Sequence, residues 1–318
     1  MEVLDRGNNK FCFDVFKYAA SNYNINMVGV SGTGKTKAAQ DLIDQYLNQN
    51  ATIFMMDIGR QYKEKCISLG GEYIDFNEKS AIGINPFSFI NSVSPNQLSM
   101  LRDIFLVSAG IDQNNLKYQI AGNYFEKAII NSLQKYQSDS SYSTVHMELL
   151  EIAKSDNNDI VQELAISIVP FTTLGDLGAY FEGKSNLSLD NPLAVFDFEH
   201  IKHNLQLSDT VINIILFIIR QTMDLLPRET KKICIIEEVY DLFNNSKILP
   251  RTITNFYSDL KYINGSIVTI TQSHLDLFIS DLHTAFILNS NWGFTFIASS
   301  IIFRNLHTLL IDYYEKNV

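Results

Sequence analysis

One stretch limits the possible folds more than any other: INMVGVSGTGKTKAAQDLIDQYL, from Ile25 to Leu47. A short apolar run enters a loop of glycines and small polar residues. The chain leaves that loop as a segment in which Ala38, Ala39, Leu42, Ile43, Tyr46 and Leu47 recur at helical period. TIFMMD (52–57) supplies a second apolar run and GEYIDF (71–76) a third. Strand, loop, helix and strand at this spacing predict βαβ units, and hence a mostly parallel sheet with both faces covered.

Inside the loop, Gly29, Gly34, Lys35 and Thr36 complete the pattern G-x-x-x-x-G-K-[ST]. The pattern needs glycine because the backbone must curl with its N–H groups turned inward, toward phosphate oxygens. Ser31, Gly32 and Thr33 form the middle of that cradle. Lys35 is placed to reach the β- and γ-phosphates, and the Thr36 hydroxyl to ligate Mg²⁺. ATP with Mg²⁺ is therefore the expected ligand.

A later apolar run, ICII (233–236), ends on Glu237 and Glu238. A carboxylate at such a strand tip holds Mg²⁺ through water, and its neighbour orients the attacking water. Glu237 is read as the metal-side acid and Glu238 as the base. SIVTIT (266–271) ends on Gln272, whose amide can bond both a γ-phosphate oxygen and the water, although a polar residue there can also simply mark a strand end. Asp57, ending the 52–57 strand, is read either as part of the magnesium water shell or as a cap on the turn at Gly59. Arg251 and Lys261 are the positive charges able to serve a neighbouring subunit, against the alternative of a solvated helix face.

Composition excludes several classes. A net charge of −10 argues against a generally basic nucleic-acid binder. Three scattered cysteines fit reduced intracellular thiols better than a disulfide framework or a zinc cluster. The six histidines do not converge on a metal motif. The N-terminus lacks an apolar signal region, and VINIILFII (211–219) is too short to span a bilayer and carries Asn213. It reads as a buried core helix of a soluble protein.

The middle of the chain changes character. From residue 94 to 169 helical stripes rich in Gln, Asn, Ser and Glu replace the strand signals, predicting an all-α insert. Residues 1–93 and 170–318 would then form one α/β nucleotide-binding core. KFCFDVF (10–16) reads as an early strand, LAVFDF (193–198) as a later one, and GFTFIA (293–298) as the last, followed by a short helix.

Several of these segments together resemble the motor domain of the conjugation and type IV secretion ATPases, the TraC-like group. They are NYNINMVGVSGTGKT, FMMDIGRQYKEKC, LGGEYIDFNEKSAIGINPFSF, ICIIEEVYDLF, KYINGSIVTITQSHLDL and ILNSNWGFTF, covering about residues 6 to 298. The resemblance implies a RecA-like P-loop NTPase core with a helical insert. It also implies Mg-dependent ATP hydrolysis by a hexamer at the cytoplasmic face of the inner membrane, beside other secretion-channel components. Gln272 becomes a nucleotide sensor, and a positive residue near 251–261 is expected to act in trans. The pattern departs in three places. The family's large N-terminal anchoring domain has no counterpart in a sequence that begins about 28 residues before Gly29. The acidic pair is Glu–Glu where the family usually has Asp–Glu. Only Lys261 stands where several arginines are common, and lysine lacks the bidentate fork, which implies slow hydrolysis. An ATP-binding interaction module and a RecA-like DNA translocase are the alternative readings.

Overall fold

The computed structural model describes residues 2–4, 10–18, 21–77, 81–90, 93–111, 118–238, 249–273 and 289–296. The chain opens with β1 (Glu2–Leu4), β2 (Lys10–Cys12), α1 (Val15–Tyr18), β3 (Ile25–Gly29) and α2 (Lys35–Leu47). β4 (Thr52–Asp57), α3 (Lys63–Ser68) and β5 (Glu72–Asp75) follow. Then come α4 (Pro95–Ser108), α5 (Tyr118–Tyr136), α6 (Tyr142–Asp156), α7 (Asp159–Ser167) and α8 (Gly178–Phe181). The chain continues through β6 (Leu193–Asp197), α9 (Leu205–Leu225), β7 (Lys232–Ile236), α10 (Leu249–Asp259), β8 (Gly265–Thr271) and β9 (Trp292–Phe296).

Seven strands form one sheet in the order β5-β6-β4-β7-β8-β3-β9, and each pairing is parallel. The fold is thus an α/β RecA-like core. β3, β4, β6, β7 and β8 are buried along their whole length, as expected of unbroken apolar runs covered on both faces. β5 and β9, at the edges, are only partly buried. The order has one consequence for the site: β8 lies between the strand that carries the glycine loop and the strand that carries the acidic pair.

Each face of the sheet has its own core. On one side α2 lays down Ala38, Ala39, Leu42, Ile43 and Tyr46 against Met27, Ile53, Met55 and Ile235. On the other, α9 is buried almost throughout, and one cluster runs from Phe105, Phe125 and Tyr142 on the helices to Phe54, Phe196 and Ile236 on the sheet. The helices between β5 and β6 therefore share the sheet's core. Their ends follow local chemistry: Ser94 and Ser141 open α4 and α6 with reciprocal capping boxes. Asn213, the polar interruption in α9, is satisfied by the Asp209 carbonyl and by the Thr252 hydroxyl of α10, both at 2.9 Å. Among the described residues no helix is long and apolar enough to cross a membrane.

The expected strand over 10–16 is corrected. β2 ends at Cys12 and pairs only with β1, in a separate antiparallel ribbon. Asp14 Oδ1 then accepts the Phe16 N–H at 3.1 Å and opens α1, while Phe13 packs edge-on against Trp292 and Phe294 at 4.8 and 4.9 Å. Phe13 and Val15 are buried, at a turn and a helix start and not in a ladder. The short helix expected after residue 298 lies outside the described residues.

A buried polar network crosses the middle of the sheet. Asn26 Oδ1 on β3 accepts from the Thr269 hydroxyl of β8 at 2.7 Å, and the Tyr257 hydroxyl of α10 joins both. Asn24 adds a clamp, accepting from Ile267 N–H at 3.0 Å and donating to the Tyr257 carbonyl at 3.2 Å. Every member is satisfied, so the network specifies how α10, β8 and β3 sit on one another.

Candidate functional site

The C-terminal ends of β3, β7 and β8 meet at a cavity of about 310 Å³. Ser31, Gly32, Gly34, Lys35 and Thr36 line it from the loop, Glu237 and Glu238 from β7, Gln272 from β8, and Gln61 from the turn after β4. Residues drawn from four distant stretches thus share one space.

The loop is made by its backbone. A Cβ at Gly29 would stand 2.5 Å from the Phe296 carbonyl oxygen of β9, so the first glycine is required by close approach. Gly34 has φ +100°, a left-handed conformation, and it caps α2 without any side-chain hydrogen bond. The first-turn N–H groups of α2 are therefore left for an anion. Lys35 is buried at 6% exposure, its ammonium donating to the carbonyls of Gly29 and Val30. The Thr33 hydroxyl donates back to the Val30 carbonyl at 2.7 Å, so this residue braces the loop and does not line the cavity.

The acidic end is made by side chains. Glu237 is 1% exposed, its N–H donates to the Met56 carbonyl at 2.9 Å, and its Oε2 accepts from the Tyr62 hydroxyl at 2.9 Å. Burial pushes its carboxyl up to about 7; the Tyr62 hydrogen bond opposes that shift, while Glu238 and Asp57 add to it. Glu238 has φ +48°, unusual for a residue with a Cβ, and this turns it toward β8, where Gln272 Nε2 donates to its Oε1 at 2.8 Å. The metal-side donors are all oxygens, Thr36 hydroxyl and carboxylates, which suits a hard ion such as Mg²⁺. Among the described residues no group of three or more His, Cys, Asp or Glu could hold a metal by itself. The set fits an ion that phosphate oxygens also ligate.

A match to the family model of the TraG P-loop domain runs over residues 12–296. The chain belongs to the TraG P-loop domain family. Protein TraC of Escherichia coli (strain K12) is 26% identical over 269 residues, 80% of this chain but only 30% of TraC. Among solved structures, VirB4 of Thermoanaerobacter pseudethanolicus aligns with a TM-score of 0.72 at 18% identity, covering 96% of this chain and 86% of that one. The plasmid coupling protein TrwB in complex with ADP and Mg²⁺ aligns at 0.56 and 13% identity, over 83% of this chain and 68% of that one. These two likenesses concern the fold.

For this TraG P-loop domain the sheet order corrects one expectation. Of the two readings of Asp57, the magnesium-shell one fails, because β7 and β8 separate β4 from β3. Asp57 does not line the cavity. Its Oδ2 accepts the Tyr62 N–H at 3.3 Å, tying the turn that contains Gly59, and burial pushes its carboxyl up to about 7. Two residues of that turn were missed by sequence reasoning. Gln61 Oε1 accepts from the Thr36 hydroxyl at 3.1 Å, and Tyr62, fully buried, holds Glu237. Their only sequence signal was the Gly-containing turn after a strand-ending aspartate. Lys261 precedes β8 and lies exposed over the Tyr262 ring at 4.9 Å, at the opposite end of the strand from Gln272. Seven strand residues put about 20 Å between them, so within one chain Lys261 does not reach the cavity. Arg251 lies on α10, and its side chain is outside the described residues.

Proposed function

We propose that this chain is an ATPase motor of a type IV secretion or conjugation apparatus, driven by Mg-dependent ATP hydrolysis. One observation carries the reading: the phosphate loop, the Glu238 carboxylate and the Gln272 amide line a single cavity at the tips of three parallel strands. The loop N–H groups and Lys35 bind the triphosphate, and Lys35 neutralises charge on the β- and γ-phosphates. Glu238 takes a proton from water as the water oxygen bonds the γ-phosphorus. The bond from that phosphorus to the β–γ bridging oxygen breaks, and ADP leaves with the electron pair. Gln272 fixes both the base and the water, because its amide can donate to one and accept from the other. Thr36 and Glu237 would hold Mg²⁺, which supplies neutralisation across the β- and γ-phosphate oxygens.

The position of Lys261 supports catalysis between subunits. A lysine about 20 Å from its own site along β8 can serve only a neighbour's, in a homo-oligomer such as a hexamer. Arg251 is the second candidate for that role. Residues 94–169 are read as a helical insert in a core formed by 1–93 and 170–318, and the motor as acting at the cytoplasmic face of the inner membrane through partner proteins.

ATPase rate against protein concentration tests the reading. Superlinear Mg-dependent turnover that disappears in Lys35→Ala is expected. Nucleotide binding without turnover at any concentration would leave an interaction module instead. DNA-stimulated turnover with steep salt dependence would favour a translocase.

A further inference from the structure

The turn after β4 does more than close a βαβ unit. Tyr62 is fully buried, and its ring position is fixed at the root by its N–H bond to Asp57 Oδ2 at 3.3 Å. Its hydroxyl donates to Glu237 Oε2 at 2.9 Å. The Thr36 hydroxyl has one proton, and Gln61 Oε1 of the same turn accepts it at 3.1 Å. With its proton directed there, Thr36 keeps its lone pairs for the cavity that it lines.

We propose that Tyr62 is a positioning residue of the nucleotide site: its buried hydroxyl orders Glu237, and the bond between them needs the reach of Glu, not Asp, at position 237. The inference rests on the nucleotide reading above. The Glu237 backbone is held by its N–H bond to the Met56 carbonyl, so the reach of the side chain decides what it touches. An aspartate would fall about 1.5 Å short, leaving the Tyr62 hydroxyl buried and beyond hydrogen-bond distance of a carboxylate. The longer acid and the tyrosine are thus a matched pair. Groups that orient metal ligands in this way typically change metal affinity by about 10- to 100-fold when removed.

The test is ADP affinity by calorimetry, with Mg²⁺ and with EDTA, for the full chain and for Tyr62→Phe, Glu237→Asp and the double variant. Wild-type protein should bind ADP in EDTA and more tightly with Mg²⁺. Tyr62→Phe should leave the EDTA affinity within about twofold while cutting the Mg²⁺ gain by about 10-fold. Glu237→Asp should lose a similar factor, and the double variant little more, because both break the same bond. Unchanged Mg²⁺ gain in both single variants, or a larger gain in Glu237→Asp, would overturn the assignment while leaving nucleotide binding intact. No ADP binding by wild-type protein in either buffer would overturn both. Thermal unfolding checks that the variants fold, and if Tyr62→Phe does not, Glu237→Asp decides.

Discussion

The tips of β3 and β7 face the same cavity and are built on opposite plans. At β3 the working surface is main chain: a close approach at Gly29, a left-handed Gly34, and helix N–H groups without a side-chain cap. Everything needed lies within eight consecutive residues, 29–36. At β7 the working surface is side chain, and each carboxylate is held by a residue from elsewhere. Tyr62, 175 positions away, holds Glu237, and Gln272, 34 positions away, holds Glu238. The difference teaches where each end is vulnerable. A backbone cradle is spoiled by a single added methyl group, and a carboxylate cluster by the loss of a distant partner.

Four experiments test that contrast, from the largest effect down. Glu238→Gln should lower single-turnover ATP hydrolysis by about 10²- to 10⁴-fold while ADP binding persists. Retained turnover would reduce the β7 tip to scaffolding. Gly29→Ala should destabilise the fold by about 1–3 kcal/mol in chemical denaturation, because the new Cβ meets the Phe296 carbonyl 2.5 Å away and backbone on both sides cannot yield. Ser31→Ala, in the same loop, should be nearly neutral, since its part there is main chain.

The third experiment uses pH. Burial raises Asp57 and Glu237 to about 7, so the folded protein keeps these protons longer than the unfolded chain does. Their stabilisation is complete below the ordinary carboxylate range and is lost as pH rises through about 7. The unfolding temperature measured between pH 5 and 8 should therefore fall, and Asp57→Asn should roughly halve that fall. A flat profile in the wild-type protein would mean that burial does not hold these carboxyls protonated. The smallest effect is expected for Lys261→Ala. ADP affinity should not change, and turnover should drop only at concentrations where activity is superlinear. A loss in dilute protein would put Lys261 inside its own site, against the placement at the far end of β8.

These contrasts also explain what was legible in the sequence. The β3–α2 unit could be read residue by residue, because loop pattern and helical period are local properties. The buried strands ending at Asp57, Glu237 and Gln272 were legible for the same reason. Strand order was not, since nothing in the 52–57 run says that two other strands come between it and the loop. The sequence therefore left Asp57 between the magnesium shell and the turn at Gly59, and only the strand order and the Tyr62 N–H bond decide for the turn. The partner of Glu237 was not legible either, because no periodicity links positions 62 and 237. Residues 10–16 show the same limit at short range: the alternating pattern marked a strand, and the strand stops at Cys12, before the Asp14 side chain opens a helix.

The network around Asn26 has a mechanical meaning. β8 is hydrogen-bonded to β7 on one side and β3 on the other, and Thr269, Tyr257 and Asn26 fasten it to α10 through its thickness. A strand bolted on three sides cannot stretch or slide alone. It works as a strut, with the surface around Tyr262 at one end and Gln272 at the other. A displacement forced on the outer end would be passed along β8 toward the cavity, with little absorbed on the way.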